Sequence, residues 1–424
     1  MRVNTPTYAR YALGMLLLVY TLNFVDRIIL GILVPPINAE LHLSDTELGL
    51  LGGTAFAIFY TALGVPIGWL ADRINRVWII AASLALWSAF SAGSGLAHSF
   101  GQLFVARLGV GVGEAGGVAP SYSLISDYFP RERRARALAI YSFGIPIGSA
   151  AGLLFGGLIA SKVNWRLAFF TVGALGLVLA PIFAYAVREP SRGGLDAASR
   201  AGPGPSPNAA AGIAATWALL GRKVSFWALS LGGASSSIMG YGVLFWLPSF
   251  FVRSYHFSLP QVSWILGALI FIGGIAGIWL GGWLTDRLGT LRRAAYALVP
   301  AVAFILCVPF YAIGVLAPAS NWILPVFVIP TALALVWLGP TICAVQHLVA
   351  PQMRAFASAL FLFINNLIGL GLGTLVIGRL SDHFAVRHGA EALRYAILTG
   401  TGFYVISAGL FVLAARRLAH DWLE

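Results

Sequence analysis

Apolar runs of about 20 residues, each long enough to cross a bilayer as a helix, recur along the chain and are separated by short polar gaps. Twelve spans are predicted, near residues 11–34, 47–70, 77–97, 101–126, 135–160, 166–187, 224–251, 261–285, 294–317, 322–347, 355–380 and 392–415. The only long polar stretch is Arg188 to Lys223, between the sixth and seventh spans. Within it, Pro190 to Gly212 is rich in Pro, Gly, Ser and Ala, which predicts a flexible linker over 189–222. The expected organisation is a six-helix bundle over 1–188, that linker, and a second six-helix bundle over 223–424. The first run is too long for a cleavable signal peptide, lacks a small-residue cleavage site, and carries Asp26 and Arg27 in its interior.

Composition agrees with an all-α membrane protein. The 424 residues are 59% hydrophobic and 10% charged, against roughly 45–50% and about 25% in soluble domains. So few charges cannot cover a water-facing surface, which excludes soluble enzymes and nucleic-acid binders. Membrane helices use Gly and Pro freely, and the chain has 49 and 21 of them. The net charge of +12 is dispersed through short gaps rather than clustered as a nucleic-acid footprint would be. Nineteen of the 27 Lys and Arg residues fall on the side of the amino terminus and linker. The positive-inside rule therefore predicts both termini in the cytoplasm, in a bacterial-type inner membrane. Cys307 and Cys343 both lie inside apolar runs, so neither a disulfide framework nor a metal site is expected, and no cofactor is implied.

The halves repeat. Gly68-Trp69-Leu70-Ala71-Asp72-Arg73 and Gly282-Trp283-Leu284-Thr285-Asp286-Arg287 are related by an offset of 214 residues. Pro130, Arg133, Gly148 and Gly152 return as Pro351, Arg354, Gly369 and Gly373, at an offset of 221. A parallel repeat of six-helix bundles is a transporter signature, with a substrate site expected near the midplane. The Gly-x-Leu-x-Asp-Arg run resembles the signature loop of the major facilitator superfamily, and the likeness extends over nearly the whole chain. In the first copy Asn75 stands where the family pattern has Gly, while the second copy keeps Gly289.

A finer resemblance is to the Spinster-like branch. It is carried by Asn23-Phe24-Val25-Asp26-Arg27, Gly113-Glu114-Ala115, Pro120-Ser121 and Asp127-Tyr128-Phe129-Pro130. That branch includes proton-linked carriers of sphingolipids and lysophospholipids. It implies transport of an amphipathic lipid-like molecule, with protons, that substrate and the surrounding lipids as partners of a monomeric carrier. The anion–cation symporter branch has a similar helix-1 motif, so a proton-linked symporter of small organic anions is the alternative, with a multidrug exporter third. A non-transporting sensor on this fold is the alternative from another class.

Four ionisable side chains fall well inside spans: Asp26 and Arg27 in the first, Arg107 and Glu114 in the fourth. Four mid-helix charges would cost on the order of 10 kcal/mol unless they face one another or water. At about 1.5 Å per residue, Asp26 and Arg107 lie at similar depth, about 12 Å and about 9–10 Å from their span ends. Glu114 follows two turns on along the same face, and Asn23 is one turn from Asp26 and Arg27, where it could orient either. Asp26 and Glu114 are the expected proton carriers, and Arg27 and Arg107 the partners that switch to an anionic headgroup. A static clip between the two helices is the alternative. The second half offers weaker lining candidates: Ser235 to Ser237, Tyr241, Trp246, Asn365 and Asn366.

Gly68, Asp72, Arg73, Asp286 and Arg287 are expected to form a cytoplasmic gate, with the aspartates capping neighbouring helices or pairing with Arg131 to Arg136. Gly144, Gly148, Gly152 and Gly156 recur every fourth residue and predict a close helix contact. Gly111 to Gly116 matches a dinucleotide fingerprint in form only, because it sits mid-helix with no preceding strand.

Overall fold

A bilayer supplies no hydrogen bonds to a backbone, so the spans satisfy their own as helices. The computed structural model describes residues 5–71, 73–192, 209–318, 322–350 and 353–423. Asp72, Pro351 and residues 193–208 of the expected linker lie outside them. Among the described residues, ten helical stretches are individually apolar and long enough to cross a membrane. The last of these, Phe356–Asp421, holds two spans, and the expected fourth is divided at 115–117, so twelve spans result.

In the first half the spans are Pro6–Leu41, Asp45–Ala71, Arg76–Ser94, the pair Phe100–Glu114 and Val118–Tyr128, the pair Arg131–Ser142 and Gly144–Lys162, and Trp165–Ala186. In the second half they are Val224–Tyr255, Leu259–Gly289, Ala295–Leu316, the pair Ile323–Leu333 and Leu338–His347, the run from Arg354–Asn365 through Gly371–His388, and the pair Ala392–Gly400 and Gly402–Asp421.

Local chemistry starts and stops these helices. Thr5, Asn75, Ser99 and Asn164 cap four of them by accepting backbone N–H bonds. The first and seventh spans end on left-handed histidines, His42 at φ 52° and His256 at φ 55°. This conformation is uncommon outside glycine, and the two residues stand 214 apart, the interval of the signature loop. The repeat extends to backbone geometry.

The expected flexible linker is corrected in its second part, where Ala209–Arg222 is a helix with Thr216 and Leu220 buried. Its Ala- and Leu-rich sequence favours helix, whereas the Pro- and Gly-rich part before it does not.

The chain divides into two compact units that do not follow the expected boundaries at 188 and 223. One comprises 1–43, 50–204 and 259–267, the other 44–49, 205–258 and 268–424. The opening turn of the second span thus belongs with the second unit, and the opening turns of the eighth span with the first. These two starts, residues 45 and 259, are again 214 apart.

Within the first unit the fifth span lies directly on the first. A Cβ at Gly148 would come 2.7 Å from Phe24 Cβ, and one at Gly152 would come 2.8 Å from the Val25 carbonyl oxygen. The predicted glycine stripe is therefore a packing face. Overpacking costs about 1–3 kcal/mol, so Gly152→Val is expected to lower the melting temperature of the purified protein. Gly409→Ala, where a Cβ meets nothing within 4 Å, should leave it unchanged or raise it; equal losses in both would refute the close-contact account.

Candidate functional site

Consecutive residues on a helix point about 100° apart, so Asp26 and Arg27 address different neighbours. Asp26 faces the third and fourth spans. Its Oδ1 accepts a short hydrogen bond from Ser91 Oγ, and its Oδ2 lies 3.7 Å from Arg107 Nη1. Arg27 faces the second and fourth spans. Its Nη2 donates to Glu114 Oε2 at 2.6 Å and its Nε to the same oxygen at 3.2 Å. Phe24, Phe56 and Tyr60 surround the Arg27 guanidinium at 5.0, 4.8 and 4.8 Å, within range of cation–π attraction. Gly113 lets the fourth span lie close against the third, because a Cβ there would meet the Trp87 backbone nitrogen at 2.5 Å.

The four charges therefore form two crossed pairs, each joining the first span to the fourth. Asp26 and Glu114 are fully buried, Arg107 is 1% exposed, and Asn23 is buried beside them. Several polar atoms here have no hydrogen-bond partner among the described residues: Asn23 Oδ1, Asp26 Oδ2, Arg107 Nε and Nη1, and Glu114 Oε1. Unpartnered buried polar atoms are costly. A proton on a carboxylate oxygen, or a polar headgroup facing Arg107, would satisfy them.

The second unit supplies fewer open polar groups than its sequence suggests. Trp246 does not line a cavity: it is fully buried, with its indole N–H on the Thr374 carbonyl at 2.8 Å. Ser237 Oγ donates to Asn365 Oδ1 at 2.9 Å, while Ser235 and Ser236 donate to the carbonyls of Phe403 and Gly233. Tyr241 and Asn366 are half-buried. Asn366 opens a π-helical turn, Asn366–Leu370, a form frequent at functional sites.

At the expected cytoplasmic gate, Arg73 and Arg287 each lie over the tryptophan one turn earlier, Trp69 at 3.7 Å and Trp283 at 4.4 Å. A Cβ at Gly68 would make only ordinary contact with Ala119, at 4.0 Å. Asp286 is exposed and, among the described residues, caps no helix and joins no ion pair. An exposed ion pair gains little in water.

Two buried ionic clusters escaped the sequence reading because their charges sit at span ends, where charge is ordinary. Arg76, 2% exposed, bonds Glu189 Oε1 and Asp127 Oδ2, both at 2.6 Å, and Ser123 Oγ at 2.7 Å. Glu189 also accepts the backbone N–H groups of Arg76 and Val77, capping the third span. At the opposite ends of the spans, Arg253 holds Asp45 by two bonds of 2.7 Å, and Ser381 donates to the same carboxylate at 2.7 Å. Asp382 accepts the backbone N–H groups of Asp45 and Thr46 at 3.0 and 2.7 Å. Both Arg76 and Asp45 were detectable as polar residues opening an apolar run.

Residues 16–374 match the Major Facilitator Superfamily model. The chain belongs to that superfamily. It is 33% identical over 420 residues to an MFS-type efflux pump of Mycolicibacterium smegmatis, covering 99% of this chain and 95% of that one. With human protein spinster homolog 1 it shares 28% identity over 407 residues, 90% of this chain and 75% of that one. Among solved structures, a bacterial homolog of the human lysosomal transporter Spinster, inward-facing and unoccupied, superposes with a TM-score of 0.90. That match has 31% identity and covers 99% of both chains. The protein is an integral membrane transporter of the Spinster type.

The paired charges make a stability test available within this carrier. Removing one partner of a buried ion pair costs about 3–5 kcal/mol, because it strands the other charge. Arg107→Gln is expected to lower the melting temperature, more in alkaline than in acidic buffer, since protonation neutralises the stranded Asp26. Asp26→Asn/Arg107→Gln should recover most of the loss. A double variant as unstable as the single one would show that the two side chains are not coupled.

Proposed function

We propose that the protein is a proton-coupled secondary active transporter of an amphipathic, lipid-like substrate of sphingolipid or lysophospholipid type, working by alternating access. The observation that carries this reading is the incomplete pairing of the buried charges on the first and fourth spans. A static clip would satisfy its members, whereas here Asp26 Oδ2, Glu114 Oε1 and two Arg107 nitrogens are left without hydrogen bonds.

In this scheme Asp26 is ionised while it faces Arg107. On opening to water it takes a proton at Oδ2, which releases Arg107. The freed guanidinium then holds a phosphate or carboxylate headgroup through paired N–H bonds. Glu114 and Arg27 form a second, coupled exchange, and Asn23 supplies an amide for the headgroup or a proton-bearing carboxyl. Phe24, Phe56 and Tyr60 around Arg27 put apolar surface beside the charge, as an amphipathic molecule requires. Tyr241, Asn365 and Asn366 are the second half's candidates for the remaining contacts. Gly68, Arg73, Asp286 and Arg287, with Asp72, are the candidate cytoplasmic gate. The carrier acts as a monomer with both termini in the cytoplasm of a bacterial inner membrane.

Export is the second reading, favoured by the name of the mycobacterial relative. The coupling scheme is the same for either direction.

In sealed proteoliposomes, an imposed proton gradient is expected to drive flux of a lysophospholipid or sphingoid base through the parent protein. Asp26→Asn should still bind the substrate by thermal shift while losing the response to the gradient. Transport by Asp26→Asn with an unchanged gradient response would sink the coupling scheme. Stabilisation by small organic acids but not by lipids would move the substrate to the anion class.

A further inference from the structure

The first unit has a basic cavity of about 580 Å³, lined by Arg10, Leu13, Phe129, Arg133, Arg136, Ala137 and Ile140. Three of these residues are arginines, and none belongs to the buried charge pairs on the first and fourth spans. Arg133, Arg136, Ala137 and Ile140 follow helical spacing on the opening segment of the fifth span, so they share one face. Arg10 and Leu13, one turn apart, stand on the first turns of the first span, and Phe129 ends the fourth. Leu13 and Ala137 are buried, at 5% and 2% exposure, while the three arginines are exposed. Among the described residues no carboxylate pairs with any of the three, in contrast to Arg27, Arg76, Arg107 and Arg253.

We infer that this cavity is a site for one anionic phospholipid of the adjacent leaflet, independent of the transport cycle. Arg10, Arg133 and Arg136 would hold the phosphate, and the glycerol and first acyl carbons would lie on Leu13, Phe129, Ala137 and Ile140. Three features favour a lipid. Basic pockets between helices at the membrane surface suit anionic headgroups, whose leaflet also concentrates them there. The cavity far exceeds the roughly 30 Å³ share of a single water, so a bare phosphate would leave it largely unfilled. Its floor is apolar where a soluble anion would require further hydrogen-bond donors. Each guanidinium can meet a phosphate with two parallel N–H bonds.

The test uses the full chain reconstituted in nanodiscs of mixed phosphatidylglycerol and phosphatidylcholine, then released and read by native mass spectrometry. The parent protein is expected to retain one phosphatidylglycerol with about tenfold preference over phosphatidylcholine. Arg10→Gln/Arg133→Gln/Arg136→Gln should abolish the preference. Arg222→Gln/Arg416→Gln/Arg417→Gln, which removes equal charge elsewhere, should keep it. Ile140→Trp, which fills the cavity and leaves its charge intact, should also expel the lipid, so the inference does not rest on the folding of one variant. Equal retention of both lipids by the parent, or equal loss in both triple variants, would overturn it. Displacement of phosphatidylglycerol by millimolar glycerol 3-phosphate would do the same, by assigning the cavity to a soluble anion.

Discussion

Charge in oil is the constraint from which the rest of the first unit follows. Asp26, Arg27, Arg107 and Glu114 are formally neutral as a set, and the fold brings them together as two crossed pairs rather than as one compact cluster. One pair is tight, with Arg27 and Glu114 at 2.6 Å; the other is loose, with Arg107 and Asp26 at 3.7 Å and Ser91 taking the second Asp26 oxygen. The difference matters because a buried ion pair repays its desolvation only with good geometry and full hydrogen bonding. The loose pair does not meet that standard. The glycines around it serve the same end. Gly113 against Trp87, and Gly148 and Gly152 against the first span, let helices approach until short polar side chains can meet.

The second unit solves a different problem with similar parts. Apart from Asp45, its buried polar groups are mainly hydroxyls, and most are satisfied inside the bundle: Ser237 on Asn365, Ser235 on Phe403, Ser407 on Gly232. The two halves nonetheless share their irregularities. The fourth span breaks after Glu114 and the tenth after Leu333. The fifth span is interrupted at Phe143 and the eleventh turns π-helical from Asn366. These positions correspond closely under the 221-residue repeat, so the breaks belong to both halves while the mid-span charges belong to the first.

The spans, their pairing into repeats and the four mid-span charges were legible from the chain, because each is a one-dimensional signal: an apolar length, a recurring offset, a charge where none belongs. The partners were less so. That Asp26 lies level with Arg107 follows from helical rise, but that Arg27 reaches Glu114 depends on how the first span is rotated. Arg76 and Asp45 were overlooked because burial at a span end is conferred by residues far along the chain, Glu189 for one and Arg253 for the other. Trp246 misled in the opposite sense. An aromatic residue in a span gives no sign of which side it presents, and only its bond to the Thr374 carbonyl fixes it in the packing. The helix at Ala209–Arg222 was hidden by averaging an Ala-rich segment with the Pro- and Gly-rich one before it.

Arginine does three kinds of work in this molecule, and the partner decides which. Beside a buried carboxylate, as at Arg27 and Arg107, it offsets a charge that water cannot reach. At span ends, as at Arg76 and Arg253, it ties separate helices through carboxylates that also cap or dock a helix start. Arg192 does so through carbonyls, donating to Ala71 and Ile74 at the end of the second span. Arg10, Arg133 and Arg136 fit neither description, since they converge on an apolar floor with no carboxylate of the described chain to meet them. Three like charges held around one cavity repel one another, and water alone screens them incompletely where the floor is apolar. A fold that keeps such an arrangement lowers its energy by admitting an anion with a greasy end, and beside a bilayer a phospholipid has that form.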